Sequence, residues 1–233
     1  MQLIYGSKLK EKHDEFLYVN DANLSLPFGI TYFEKSMPFL DNLSYQKCME
    51  KKEADAKKIA AKALLHFDAV DILICNAAIR PSDAFLEMTD EQWPRVINTN
   101  FMGSFWLARA CLPGMVDKGW GRVINFAGMN AIHGYNGRAH VSASKHAVWG
   151  LTKALAKEFA PMGITANIIS PGPIEGERND PTMAAHIAEM VDRVPIGRLG
   201  TGDEVSSTCA LLASDKGGFI NGQMIQINGG AET

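Results

Sequence analysis

Val70-Asp71-Ile72-Leu73-Ile74-Cys75-Asn76-Ala77-Ala78 is the stretch that decides the fold. A short, nearly continuous apolar run ends on an amide and two small residues, as in a strand buried on both faces. Before it, Leu43 to Phe67 is rich in Lys, Glu and Ala, with Ile59, Ala60, Ala63 and Leu64 on one stripe. That is the pattern of an exposed amphipathic helix. After it, Thr89 opens a second helix with Asp90 and Glu91 in its first turn, where carboxylates answer the helix dipole. This helical stretch, with room for a kink, runs to about Val116. The alternation continues with a strand at Arg122 to Phe126 and a helix at Ser142 to Phe159, stopped by Pro161 and Gly163. Ile164 to Ser170 is a third strand, ended by Pro171-Gly172. Helices follow at Pro181 to Val194 and Thr201 to Ser214, then a last strand at Gln223 to Asn228. Strands separated by such helices imply right-handed crossovers and a doubly wound parallel sheet with helices on both faces, an α/β Rossmann-like arrangement.

The chain has 233 residues, with no internal repeat or low-complexity linker, and reads as one domain. Its 46% hydrophobic and 21% charged residues are ordinary globular values, which excludes disordered, collagenous and coiled-coil classes. Lys+Arg minus Asp+Glu is 23 − 26 = −3, so charge offers no reason to expect nucleic acid or an anionic membrane as partner. Cys48, Cys75, Cys111 and Cys209 form no CxxC pair and read as reduced thiols, with no metal site. No signal peptide or membrane-length apolar window is visible, so the cytoplasm is the expected compartment.

The N-terminal part is unlike the rest. Of 21 glycines only Gly6 and Gly29 precede Gly103, so no glycine-rich phosphate turn can lie there. Leu3-Ile4-Tyr5, Phe16 to Val19 and Ile30 to Phe33 could each be a strand, with a short helix over Ser7 to Glu15. The alternative is an irregular arm.

Motifs in the remainder are specific. Asn76-Ala77-Ala78 closes the first buried strand, and Asn100 lies in Asn98-Thr99-Asn100-Phe101-Met102-Gly103. Gly121-Arg122-Val123-Ile124-Asn125 precedes Ser142-Ala143-Ser144-Lys145, and Pro171-Gly172 follows. Pro195-Ile196-Gly197-Arg198-Leu199-Gly200 and the tail Asn221-Gly222-Gln223 to Asn228-Gly229-Gly230 complete the set. One such motif is weak; seven in order carry the resemblance. The chain resembles the short-chain dehydrogenase/reductase family over residues 49–233, with 1–48 a divergent segment of the same domain.

That resemblance implies NAD or NADP bound at the carboxyl ends of the strands. It implies that Asn76 lies beside the adenosine part, although an Asn closing a turn is the bland alternative. Asn100 matches the family's Asn that holds a helix kink and a proton-relay water. Lys145 matches the Lys that grips the ribose hydroxyls, against an ordinary solvated lysine. Pro171, Gly172 and Ile174 match the loop beneath the nicotinamide. The resemblance further implies a homodimer or homotetramer, built on the two long helices. Glu175 to Val194, with Glu177, Arg178 and Met183, matches the lid that selects substrate.

Departures from the family are equally specific. The Tyr expected four residues before Lys145 is Val141, and the Ser expected thirteen residues before that is Gly128. A Thr that often ends the Pro-Gly loop is Gly176, and Cys48 stands where an Asp usually faces the adenine. Tyr135, His140, Ser142 and His146 are near in sequence. His140 is the candidate acid/base if the helix begins only at Ser142, leaving the imidazole in a loop facing the cleft; a surface or packing histidine is the alternative. Tyr135 reads as an aromatic wall of the cleft, and Met129 and Asn130 as possible pocket lining. The expectation is an NAD(P)-dependent oxidoreductase interconverting a small alcohol and carbonyl compound, its standard catalysis impaired. The alternative is a non-catalytic member of the fold acting through assembly with a partner.

Overall fold

The computed structural model describes residues 2–5, 17–19, 45–67, 69–175 and 183–232. Four strands form the parallel part of the sheet: β3 (Ile72–Cys75), β4 (Gly121–Phe126), β5 (Ile164–Pro171) and β6 (Met224–Ile227). Register pairs Leu73 with Val123, Val123 with Ala166, and Ile169 with Ile225. Because side chains alternate along a strand, one face carries Leu73, Val123 and Ala166. These pack on α1 (Tyr45–Phe67) and α3 (Gly103–Lys118) through Ala60, Ala63, Leu107 and Met115. The other face carries Ile74, Ile124 and Ile169, covered by Leu212 and Val205 of α6 (Gly202–Ala213). The expected α/β sheet with helices on both faces is therefore present.

The far edge departs from a wholly parallel sheet. The full order is β2-β1-β3-β4-β5-β6, in which β1 (Gln2–Tyr5) runs antiparallel to β3, and β2 (Leu17–Val19) antiparallel to β1. An antiparallel neighbour needs no crossover helix, and such an edge on a parallel sheet is a common arrangement. Two of the three expected N-terminal strands are thus formed; the third, at 30–33, and the helix at 7–15 lie outside the described residues.

Two helix boundaries shift. The expected helix from Thr89 begins as α2 (Gln92–Ile97), because Gln92 Oε1 accepts the Thr89 N–H at 2.7 Å and holds Thr89–Glu91 as a turn. The expected helix from Ser142 begins earlier, as α4 (Ala139–Phe159). Between α2 and α3 lies a π-helical segment, Asn98–Met102, in which the Gly103 N–H donates to Asn98 O. This wider turn is the kink that the long helical stretch had room for, and such insertions concentrate at functional sites.

Several family motifs have structural explanations. Asn221 accepts the Ala166 N–H at 2.9 Å and donates to Ala156 O at 2.9 Å, joining β5 to α4. Arg198 grips Glu204 with Nη2–Oε1 at 2.7 Å and Nη1–Oε2 at 3.0 Å. Glu204 also closes a capping box with Thr201 at the start of α6. Gly200 pairs with Ile174 in an isolated parallel bridge, so this motif positions the loop after β5.

Gly119 and Gly163, at φ 64° and 77°, are both left-handed. A Cβ at Gly163 would fall 2.0 Å from Gly119 O, whereas one at Gly119 would meet nothing within 4 Å. Gly163→Ala should therefore destabilise by about 3 kcal/mol, combining backbone strain with overpacking. Gly119→Ala should cost about 1 kcal/mol from strain alone. Paired urea unfolding curves measure both values, and equal losses would contradict the packing argument.

Candidate functional site

The carboxyl end of β4 meets one buried side chain, Lys145. It lies in the second turn of α4, is 4% exposed, and donates from Nζ to Phe126 O at 2.7 Å. Burial, and then the Arg80 guanidinium nearby, lower its pKa from 10.5 to about 8. The ammonium donates to a carbonyl dipole, and no carboxylate among the described residues bonds it.

Asn100 fastens the surroundings. It is 2% exposed, inside the π-helical segment. Its Oδ1 accepts the Ile79 N–H at 2.8 Å, and its Nδ2 donates to Ile79 O at 3.0 Å and to Ser144 Oγ at 3.0 Å. Ser144 Oγ donates onward to Val141 O at 2.7 Å. One amide thereby joins the loop after β3 to the turn of α4 that bears Lys145.

Val141 is 0% exposed, so a hydrocarbon fills the α4 position one turn before Lys145. Gly128 begins the loop after β4 with φ 99° and ψ 168°, a region open essentially to glycine alone. The hydroxyl expected there is missing, and the backbone has adopted a conformation that serine rarely takes. A Cβ would have space, since the nearest atom is Pro171 O at 3.9 Å.

His140 is placed differently from the loop position expected for an acid/base. With α4 starting at Ala139, its ring is fully buried. Nδ1 accepts the Val141 N–H at 3.0 Å, which puts the ring proton on Nε2, 3.0 Å from Asp83 Oδ2. The imidazole caps the first turn of α4 and ties it to the loop after β3. Asp83 was not singled out in the sequence, because its partner lies 57 residues away.

Asn76 is exposed at the end of β3, and Ser142 Oγ and Ser170 Oγ are buried atoms without a hydrogen-bond partner. Gly172 packs closely on the end of β6: a Cβ there would lie 2.7 Å from Asn228 Cα. Gly172 N donates to Ile227 O at 2.9 Å, which fixes the turn Pro171–Ile174. Tyr135 is 43% exposed, with the Arg138 guanidinium 5.2 Å from its ring centroid, as an aromatic wall would be. Met129 lies in a 3-10 turn, Met129–Ala131. The positions 176–178 fall outside the described residues, and the candidate lid contributes α5 (Met183–Asp192). A surface depression of about 550 Å³, lined by Lys153, Lys157, Asn221 and Gln223, lies two to three turns further along α4 and is separate from this site.

Among the described residues no group of His, Cys, Asp and Glu is arranged to hold a metal ion. Cys75, Cys111 and Cys209 are free thiols, each with its pKa raised by burial. No described helix is long and apolar enough to cross a membrane.

Known proteins share this arrangement. A family model described as enoyl-(acyl carrier protein) reductase matches residues 45–232. An acetoacetyl-CoA reductase of Shinella zoogloeoides is 40% identical over 192 residues, covering 82% of this chain and 76% of that protein. The Escherichia coli 3-oxoacyl-(acyl-carrier-protein) reductase is 35% identical over 177 residues, covering 76% of this chain and 72% of that one. A crystal structure described as a gluconate dehydrogenase from Agrobacterium tumefaciens superposes with a TM-score of 0.70 at 29% identity, over 75% of this chain and 72% of that one. On these matches and on its parallel sheet, the chain belongs to the short-chain dehydrogenase/reductase family.

Proposed function

We propose that this protein is an NAD(P)-dependent oxidoreductase that interconverts a small carbonyl compound and its alcohol, without the family's usual phenolic proton donor. The observation that carries the reading is the buried Lys145 ammonium, held at the carboxyl end of β4 and locked in place through Ser144 and Asn100. Relatives named as ketoacyl and acetoacetyl-CoA reductases support the carbonyl-reducing direction.

The described residues fit the nicotinamide half of such a cofactor. Lys145 offers an ammonium to ribose hydroxyls, Asn76 an exposed amide, and Pro171, Gly172 and Ile174 a rigid turn. The orphaned hydroxyls of Ser142 and Ser170 leave hydrogen-bonding capacity beside these groups. The bound cofactor would supply or accept the hydride. Around it, this chain excludes water with Val141 and positions Lys145 through Asn100; that ammonium, its pKa lowered to about 8, would give the developing alkoxide its proton in reduction and take it back in oxidation. His140, neutral and doubly bonded, acts as a positioning group for α4. Assembly as a homodimer or homotetramer is part of the proposal, with Trp93 the exposed aromatic of the long helical stretch; light scattering at a mass of one chain would count against it.

A second reading, a non-catalytic scaffold that acts by assembly, is favoured by the empty positions at Val141 and Gly128. Calorimetric titration separates the two. The oxidoreductase reading expects NADH or NADPH to bind with a Kd below about 10 μM, near −7 kcal/mol. The absence of binding to either would favour the scaffold.

Two further outcomes are expected. Val141→Tyr with Gly128→Ser should raise hydride transfer about a hundredfold, the usual worth of a positioned acid/base. The same pair should lower stability by about 2 kcal/mol, because Ser must either strain or flip the backbone at Gly128 and Tyr overpacks a buried site. Spectrophotometric oxidation of NADPH and thermal melting read the two effects. Lys145 has a folded pKa near 8, below its unfolded value of 10.5. Its charge therefore opposes folding fully below pH 8, and that cost is relieved as pH rises from 8 to 10.5. Lys145→Met should stabilise the apoprotein by up to about 3 kcal/mol near pH 7, and this difference should fade above about pH 10. Urea unfolding at a series of pH values checks the sign.

A further inference from the structure

Two cationic side chains at the mouth of the site have no ion pair with a carboxylate among the described residues. Arg80 follows Ile79, whose N–H and C=O are both held by Asn100 at 2.8 and 3.0 Å. Its backbone is thereby fixed beside the turn of α4 that carries Ser144 and Lys145. The Arg80 residue is exposed, yet its charge reaches Lys145. Arg138 stands on the facing wall, at the cap of α4, stacked 5.2 Å from the Tyr135 ring centroid. The walls are joined, since Asp83 N donates to Gly137 O at 2.7 Å. A Cβ at Gly137 would come within 3.1 Å of Ser82 Oγ.

The acid between these walls is turned inward. Asp83 Oδ1 accepts from Gln92 Nε2 at 2.8 Å, and Oδ2 faces His140 Nε2 at 3.0 Å. Glu232 is engaged with His133, at 3.3 Å. Among the described residues no ion pair involves Arg80 or Arg138. Among the described residues, the rim of the cleft therefore carries positive charge from Arg80, Arg138 and Lys145 that no ion pair compensates. Such a lining raises the local concentration of anions, and guanidinium groups present paired donors to carboxylates.

We infer that Arg80 and Arg138 form a subsite for the anionic end of the substrate, which is then a small carbonyl compound bearing a carboxylate: an oxo acid, or its hydroxy acid in reverse. The assignment rests on the carbonyl-reducing reading for its setting, although its test needs no turnover. A phosphate would suit the same donors, and a dinucleotide cofactor supplies phosphates. Doubly wound folds hold those phosphates at the turn after the first βα strand. Arg138, at the start of α4, stands on the loop after β4 and not on the one that follows the first parallel strand, β3, which favours the substrate.

The test is calorimetric titration of the full chain, at low salt, with malonate and with neutral malonamide. Malonate is expected to bind saturably and malonamide not at all. Arg80→Gln and Arg138→Gln should each weaken malonate about tenfold, the loss of a charge-assisted hydrogen bond. Arg80→Lys and Arg138→Lys should each retain part of the affinity, which separates lost charge from lost fold. Saturating NADPH should leave malonate binding in place. Equal binding of malonate and malonamide, or Gln variants with unchanged affinity, would overturn the subsite. Displacement of malonate by NADPH, with the Gln variants losing NADPH affinity, would overturn the assignment to substrate and make these arginines phosphate ligands. Malonate binding as expected in a chain that transfers no hydride would leave the subsite standing and remove the reductase reading.

Discussion

The hydrogen bonds of the Asn100 amide are the constraint on which the site depends. An amide has one acceptor and one donor group, and here they meet both backbone groups of Ile79 and the hydroxyl of Ser144. In a buried setting each of these bonds replaces one that water would have made, so breaking the set strands several polar groups at once. The π-helical segment Asn98–Met102 is where the amide is delivered: the extra residue in that turn alters the direction in which position 100 points relative to a regular α-helix. The placement of Lys145 against Phe126, of Arg80 beyond Ile79 and of the buried Val141, whose carbonyl accepts from Ser144, all follow from this tie.

The chemistry of the site is set as much by missing groups as by present ones. The family resemblance implies a phenol one turn before Lys145; here that turn offers valine, and the loop after β4 offers glycine. What remains is a desolvated cation with a carbonyl oxygen as its recorded hydrogen-bond partner. A desolvated cation without an anionic partner is a costly thing for a protein to keep, and the cost is lowered when an anionic or strongly dipolar ligand arrives. The same logic extends outward to Arg80 and Arg138, since Asp83 on the loop between them is bonded to His140 and Gln92.

Much of the fold was legible, and the reason is burial. Strands β3, β4 and β5 are sealed on both faces, so their residues had to be nearly continuous apolar runs, which no amphipathic helix would show. Direction at the edge was not legible: Leu3-Ile4-Tyr5 has the same composition whether it runs parallel or antiparallel to β3. Helix starts moved where a side chain did unforeseen capping work, Gln92 on the Thr89 amide and His140 on the Val141 amide. That Val141 and Gly128 stand where the family resemblance expects a phenol and a hydroxyl could be read from spacing along the chain. The Asp83–His140 pair could not, since it joins residues 57 apart through a contact that only the folded loops create.

The backbone at Gly128 has a meaning beyond the absent hydroxyl. With φ at 99° and ψ at 168°, the chain there lies in territory that chirality closes to L-amino acids. Any side chain installed at this point must first turn a peptide unit over, whatever its chemistry. The position behaves like a one-way door, in which an achiral residue permits a loop path that every chiral replacement would have to undo before it could contribute an atom to the cleft.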